Sequence, residues 1–235
     1  ASFGSFLTGK NIEIRISIGL NNSPVLIVGT HGGLIGPDGP TQAGLQDIAV
    51  MRSIPNIRVV QPSTPIETEK VLKYYLNKKI PVYIRISREK VKEFYKHNFR
   101  YEEGQITLIK KDISKACIFA SGSILEKAYE ACKNMKGIGL ANISSIKPIN
   151  LKQLKKICNK TKKIFVFEDH SKYGGIASAI GEALFELDLK KTMFSHNLKD
   201  KFTQSGSVND LYKFYKLDSN SIKKFILDKS KYEKK

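Results

Sequence analysis

The chain has 235 residues, 41% of them hydrophobic and 26% charged, which suits one large or two modest globular domains with a sizeable core. Its longest apolar runs, Pro24 to Gly29 and Ala116 to Ala120, fall far short of the roughly 20 residues a membrane helix requires, so no membrane partner is expected. The formal charge of +18 raises nucleic acid as a partner, but the lysines are scattered, gathering mildly at 152–163 and 229–235 without interleaved aromatics or an Arg-rich stripe. The expectation is no nucleic acid, and a solvated basic surface that favours anionic small substrates.

Cys117, Cys132 and Cys158 are odd in number and form no C-x-x-C pair, which argues against a disulfide framework and a zinc site and fits a reducing cytoplasm. In apolar or helical surroundings they read as small buried hydrophobes. The opening ASFGSFLTGK carries no secretory pattern and no initiator Met, and it reads as the middle of a domain whose upstream part lies elsewhere.

Strand-like and helical patterns alternate along the chain, the signature of a parallel α/β architecture. In chain order the first half reads as strand Pro24 to Thr30, helix Thr41 to Ser53, strand Ile57 to Gln61, helix Ile66 to Leu76 and strand Val82 to Ser87. Pro55-Asn56 and Pro62-Ser63-Thr64-Pro65 supply the breaks and the helix cap between them. From Glu89 to Gln105 the pattern dissolves into a polar stretch with room for one short helix. The second half reads as strands 106–109 and 116–120, a Ser-capped helix Ile124 to Asn134, strand Ile138 to Ile143, helix Leu151 to Cys158, strand Ile164 to Glu168, helix Ile176 to Leu187, strand Thr192 to Ser195, and closing helices Val208 to Tyr215 and Ser221 to Leu227. The fold class is therefore α/β, with two doubly wound domains of mainly parallel sheets, the first incomplete at its amino terminus. The expected division is 1–95 for the first domain, 96–105 for a linker and 106–235 for the second.

Strand Pro24 to Thr30 delivers His31 at its carboxyl end, and the loop Gly32-Gly33-Leu34-Ile35-Gly36-Pro37-Asp38-Gly39-Pro40 follows, where open α/β sheets bind ligands. The glycines permit close backbone approach, so His31 and Asp38 can face a small polar molecule. Arg88 lies just past the strand Val82 to Ser87; Arg85, out of period with it, is expected on the opposite side, at the surface or in a salt bridge.

Over Gly29 to Pro65 the pattern T-H-x-x-x-x-G-x-D-G-P-T, a helix, R-x-I-P-N, a strand and a Pro-rich turn resembles the transketolase family. The resemblance runs backward to SFGSF, forward to PVYIRISRE, and on to Phe167-Glu168-Asp169-His170-Ser171-Lys172-Tyr173-Gly174-Gly175 and Phe202-Thr203-Gln204-Ser205-Gly206, so that it covers essentially the whole chain. It implies a thiamine diphosphate pyrimidine-binding domain followed by the family's carboxyl-terminal domain. The implied activity is transfer of a two-carbon ketol unit from a ketose phosphate to an aldose phosphate, with thiamine diphosphate as electron sink. By the same resemblance Phe3 and Phe6 pack on the cofactor's aminopyrimidine ring, and His31 and Arg88 bind the sugar phosphate. Asp38 accepts a hydrogen bond from a sugar hydroxyl, which discriminates between epimers.

Gln42 stands where transketolases usually place a histidine that contacts the donor near the reacting carbon; glutamine can hydrogen-bond but cannot titrate. His31 and Gln42 are thereby the catalytic candidates, with the donor sugar left open. The family's activating glutamate and its Mg²⁺ and diphosphate ligands find no counterpart here and are expected outside this chain, on an amino-terminal transketolase domain or subunit within a homo- or hetero-oligomer. His170 looks catalytic beside Glu168 and Asp169, but the family's carboxyl-terminal domain stands away from the cofactor, so no direct chemical role is expected for it. The competing readings are a deoxyxylulose phosphate synthase-like subunit, a 2-oxoacid dehydrogenase beta-like subunit and a noncatalytic assembly subunit.

Overall fold

The computed structural model describes residues 1–230; the last five residues of the Lys-rich tail lie outside the described part. The elements in chain order are β1 (Ser2–Phe3), α1 (Gly4–Gly9), α2 (Asn11–Glu13), a π-helical stretch (Ile14–Leu20), β2 (Leu26–Thr30), α3 (Asp47–Ser53), β3 (Arg58–Val60), α4 (Pro65–Lys78) and β4 (Val82–Arg85). There follow β5 (Thr107–Lys110), β6 (Ala116–Ala120), α5 (Ile124–Cys132), β7 (Ile138–Asn142), β8 (Ser145–Lys147), α6 (Leu151–Lys160), β9 (Lys163–Phe167), α7 (Ile176–Glu186), β10 (Thr192–His196), α8 (Val208–Phe214) and α9 (Ser219–Ser230).

Two five-stranded sheets result, ordered β1-β2-β4-β3-β8 and β10-β9-β6-β7-β5. Each is parallel except at one edge, where β8 runs antiparallel to β3 and β5 antiparallel to β7. The expected mainly parallel α/β class is what is observed. β6, β7 and most of β9 are buried along their length, as strands covered by helices on both faces must be. β8 was not expected: it is three residues long, sits between Ser144 and Pro148, and belongs to the second half of the chain while extending the first sheet. One apolar core correspondingly runs through both sheets, joining Ile48, Met51, Val59 and Tyr83 to Phe119, Ala141, Val166 and Ile180.

Local chemistry accounts for most boundaries. Thr64 caps α4 by accepting from Glu67 N–H at 3.2 Å, Pro65 occupies the first turn and Lys79 closes the helix at φ 52°. Asn150 and Ser207 cap α6 and α8 in the same way. Three expectations need correction. The helix assigned to Thr41 to Ser53 begins only at Asp47, because Gly44 N–H donates to the His31 carbonyl (3.0 Å) and Gly33 N–H to the Gly44 carbonyl (2.9 Å), which holds residues 41–46 in turns. Ser123 precedes α5 without capping it; its hydroxyl is turned to Asp169 and Tyr212. The polar stretch 89–105 contains no helix, and its Glu93 carboxylate accepts from Ile66 N–H at the start of α4 (3.0 Å).

Candidate functional site

β2 ends at Thr30, and the chain turns at once into His31 with φ 58°, a conformation that costs a non-glycine residue free energy and needs fixed surroundings. Those surroundings are present. The His31 carbonyl is held by Gly44 N–H, and the Phe3 ring lies against the imidazole with centroids 3.9 Å apart. The Thr30 hydroxyl donates to the Ser2 carbonyl (3.3 Å), so its oxygen accepts from His31 Nδ1 (2.9 Å). This assigns the Nδ1–H tautomer and leaves Nε2 as the ring nitrogen available to a ligand.

Phe3 stacks in turn on Phe6 at 5.2 Å, and Phe6 is 52% exposed. The parallel pairing of Ser2 with Gly29 and Phe3 with Thr30 is what brings these rings beside His31. Gln42 joins the group through its backbone: Ser5 Oγ donates to its carbonyl (2.9 Å), and its N–H donates to the Gly39 carbonyl (3.3 Å). Asp38, next to Gly39, carries the partner of Arg88, with Nη1 to Oδ2 at 2.9 Å. Phe3, Phe6, His31 and Gln42 thus form one connected cluster, and Asp38 and Arg88 an ion pair attached to it through the Gly39 turn. Arg88 is 54% exposed and its carboxylate 29%, so the guanidinium can exchange that carboxylate for an incoming phosphate at little cost.

Beneath this cluster lies a layer that sequence reasoning missed. Of the two places expected for Arg85, the surface or a salt bridge, it takes the second: it is 1% exposed and is clamped by ion pairs to Asp47 and Asp169 between the two halves of the molecule. Nε donates to both Asp47 oxygens (3.2 and 3.1 Å), Nη1 to Asp169 Oδ1 (2.9 Å), and Nη2 to the Gly44 carbonyl (2.8 Å) and the Asp169 carbonyl (3.1 Å). Burial alone would lower its pKa, but Asp47 and Asp169 outweigh that and hold it above the ordinary arginine range. Tyr83 donates to Asp47 (2.6 Å), and Ser123 and Tyr212 donate to Asp169 (3.1 and 3.0 Å). Burial, followed by Asp47, pushes the Tyr83 hydroxyl upward, so it stays a donor. The available signal was a lone arginine inside the otherwise apolar strand VYI of a parallel sheet, a place where a charge must have a buried partner.

Glu168, Asp169 and His170 are all buried. The Glu168 carboxylate accepts from Ile176 and Ala177 N–H (2.6 and 3.3 Å) at the start of α7, and burial raises its pKa to about 7 against those two bonds. Burial pushes His170 down to about 4. Of the three, Asp169 ties the second domain to the first, through Arg85. The Glu168 carboxylate and the His170 ring make their hydrogen bonds within their own domain, to Ile176, Ala177 and Ser171, and not to the aromatic cluster. Cys117, Cys132 and Cys158 are free and buried, and burial pushes their thiols upward. Among the described residues no group of three His, Cys, Asp or Glu side chains is placed to hold a metal, and no helix is long and apolar enough to cross a membrane.

Two linked, mainly parallel α/β sheets, with a histidine at one strand end, an arginine past the neighbouring strand end and a glycine loop between them, gather polar side chains at the carboxyl edge of a sheet, the place where open α/β proteins bind ligands. The family model for the transketolase pyrimidine-binding domain matches residues 1–93, and that for the transketolase C-terminal domain matches residues 105–222. The chain belongs to the transketolase family. It is 32% identical over 97% of its length to the 1-deoxy-D-xylulose-5-phosphate synthase of Clostridium beijerinckii, of which it covers 37%. It is also 32% identical over 99% of its length to the putative transketolase C-terminal section of Methanocaldococcus jannaschii, covering 75% of that protein. A solved structure described as a split gene transketolase, inactive beta4 tetramer, superposes with a TM-score of 0.88 at 29% identity, over 97% of this chain and 74% of that one. The chain therefore spans little more than a third of the synthase it matches and about three quarters of the split relatives.

Proposed function

We propose that this chain supplies the pyrimidine-side and sugar-phosphate-binding half of a thiamine diphosphate-dependent transketolase. The observation that carries the reading is Phe6 stacked on Phe3, with the Phe3 ring lying tilted against His31 and the Asp38–Arg88 ion pair tethered to the group. The exposed face of Phe6 offers the flat apolar support that an aminopyrimidine ring needs, so this part of the chain fits the cofactor. When bound, thiamine diphosphate supplies the electron sink for cleavage of a C–C bond beside a carbonyl. The chain's own residues bind and orient: His31 Nε2 and Arg88 take the phosphate of the sugar, and Asp38, released from Arg88, accepts a sugar hydroxyl. Gln42 holds the carbonyl end of the donor by hydrogen bonding alone. In this reading Mg²⁺, the diphosphate and the activating carboxylate are held by an amino-terminal region or partner subunit, and the assembly works in a reducing cytoplasm.

The names of the relatives support two donors. On one side stand the transketolase section and an apulose-4-phosphate transketolase subunit of Phocaeicola vulgatus, to which the chain is 27% identical over 73% of that protein; on the other stand the deoxyxylulose phosphate synthases. Consumption of a ketose phosphate by the reconstituted complex supports the first, and consumption of a 2-oxoacid the second. A noncatalytic assembly role would be supported if Gln42→His created activity in a complex that otherwise lacked it. Within an active complex, Arg88→Ala is expected to raise KM for a phosphorylated sugar about 10- to 100-fold, the worth of one charge-assisted contact, while leaving KM for the unphosphorylated sugar unchanged. Equal effects on both sugars would remove Arg88 from phosphate recognition.

A further inference from the structure

The loop that carries His31 does not rest on its own domain alone. Leu34 and Ile35 are buried in a core shared with Leu198, Leu211 and Tyr212 of the second domain. Ser171 N–H donates to the Leu45 carbonyl (2.8 Å). Gly32 and Gly33 lie directly on the Arg85 and Asp169 side chains: a Cβ on Gly32 would come within 2.6 Å of Arg85 Nε, and one on Gly33 would overlap Asp169 Oδ2. The Gly44 carbonyl, which receives Arg85 Nη2, also receives Gly33 N–H, and Gly44 N–H holds the His31 carbonyl. A continuous path of short contacts thus runs from Tyr212 and Ser123 through Asp169 and Arg85 to Gly44 and His31.

We infer that Arg85 is the positioning residue of the sugar-phosphate pocket, and that the carboxyl-terminal domain sets the orientation of His31 through Asp169. The inference rests on the reading of that pocket proposed above. A guanidinium suits the task because its planar N–H groups fix acceptors on three residues from two domains in one geometry, which a lysine ammonium cannot do. With the carboxylates of Asp47 and Asp169 on opposite sides, neither domain can shift without leaving a buried charge partly unpaired, and that penalty locks the Gly44 hydrogen bonds in place. His31 at φ 58° relaxes when its Gly44 bond weakens, which turns Nε2 away from the phosphate.

The test is amide hydrogen exchange on the full chain, paired with steady-state kinetics of the complex carrying thiamine diphosphate and Mg²⁺. Asp169→Asn keeps the shape and removes the charge. It should speed exchange at Gly33 and Gly44 by about tenfold or more relative to Val28 and Ile84 within β2 and β4. In the complex it should raise KM for the sugar phosphate about tenfold while kcat changes far less. Lys147→Met, which loosens the domain junction elsewhere by removing the bonds from Nζ to the Arg52 and Ile54 carbonyls, should leave that KM unchanged. If Asp169→Asn does not fold, Tyr212→Phe, which removes a single donor to Asp169, carries the same comparison. Unchanged exchange at Gly33 and Gly44, or an increase shared equally by β2 and β4, overturns the inference. Exchange needs no turnover: a complex inactive toward ketose phosphates would count against the proposed function alone, while the exchange pattern would still decide the role of Arg85.

Discussion

Replacing Gly33 by alanine probes the contact between the His31 loop and the second domain with the smallest possible change. Gly33 has φ 85°, and an added Cβ would overlap the Asp169 carboxylate. Alanine in a left-handed conformation costs about 1–2 kcal/mol. Relieving the overlap means moving Asp169, whose oxygens hold Arg85 at 2.9 Å, Ser123 at 3.1 Å and Tyr212 at 3.0 Å; weakening a buried bond to a charged group costs about 1.5–3 kcal/mol. The sum is a destabilisation of about 2.5–5 kcal/mol, at the upper end of what a single substitution does, and for a chain of this size it lowers Tm by roughly 10 °C. Gly36→Ala is the internal reference: Gly36 has φ 101°, but its Cβ would meet Val208 Cγ2 at 3.2 Å and the Gly206 carbonyl at an ordinary 3.7 Å, so it bears the backbone cost of about 1–2 kcal/mol without the carboxylate clash. Urea and thermal denaturation followed by far-ultraviolet circular dichroism measures both. A Gly33→Ala variant within about 1 kcal/mol of the parent, or one no worse than Gly36→Ala, would refute the packing described for the loop.

The buried Glu168 predicts a pH signature. Its pKa in the folded chain, about 7, lies above the ordinary 4.5 because burial outweighs its bonds to Ile176 and Ala177. The folded state keeps a proton that the unfolded chain releases, so this group's stabilisation is fully present below about pH 4.5 and lost as pH rises through 7, a loss of about 3 kcal/mol. His170, pushed down to about 4, gives the opposite slope below pH 6.5. The difference between the parent and Glu168→Gln therefore isolates the carboxyl group, and a pH-independent difference would contradict its burial as a neutral acid. Thr64→Ala removes the acceptor for Glu67 N–H at the start of α4 and should cost about 1 kcal/mol in urea melts; no measurable loss would mean that the Glu93 carboxylate, which receives Ile66 N–H, satisfies that helix end by itself.

Much of the fold was legible because the two sheets are built from strands whose burial is a property of their own composition: ACIFA at 116–120 and IGLA at 138–141 are apolar along their length. The position of His31 at a strand end followed from the glycines after it. What escaped the sequence depends on distant partners. β8 is too short to carry a periodicity and exists because β3 offers it an edge. The start of α3 was placed too early because Thr41 to Gln46 look helical alone, while Gly44 is claimed by His31 and Gly33. Arg85 finds its acids 38 residues away at Asp47 and 84 away at Asp169, a separation that no local pattern encodes; only the oddity of an arginine inside an apolar strand pointed to them. The N-terminal helical stretch from Gly4 to Leu20 leaves Phe6, Ile12, Ile16 and Leu20 exposed and for that reason shows no clear core-facing stripe in sequence.

The most direct test of the proposed role is turnover. The chain is combined with an amino-terminal transketolase subunit, thiamine diphosphate and Mg²⁺, and transfer of a two-carbon unit from a ketose phosphate to an aldose phosphate is followed against the chain alone and the partner alone. Transfer is expected from the combination and from neither component. Transfer by this chain alone, or a combination that binds thiamine diphosphate yet leaves every ketose phosphate untouched, would contradict the role assigned to it.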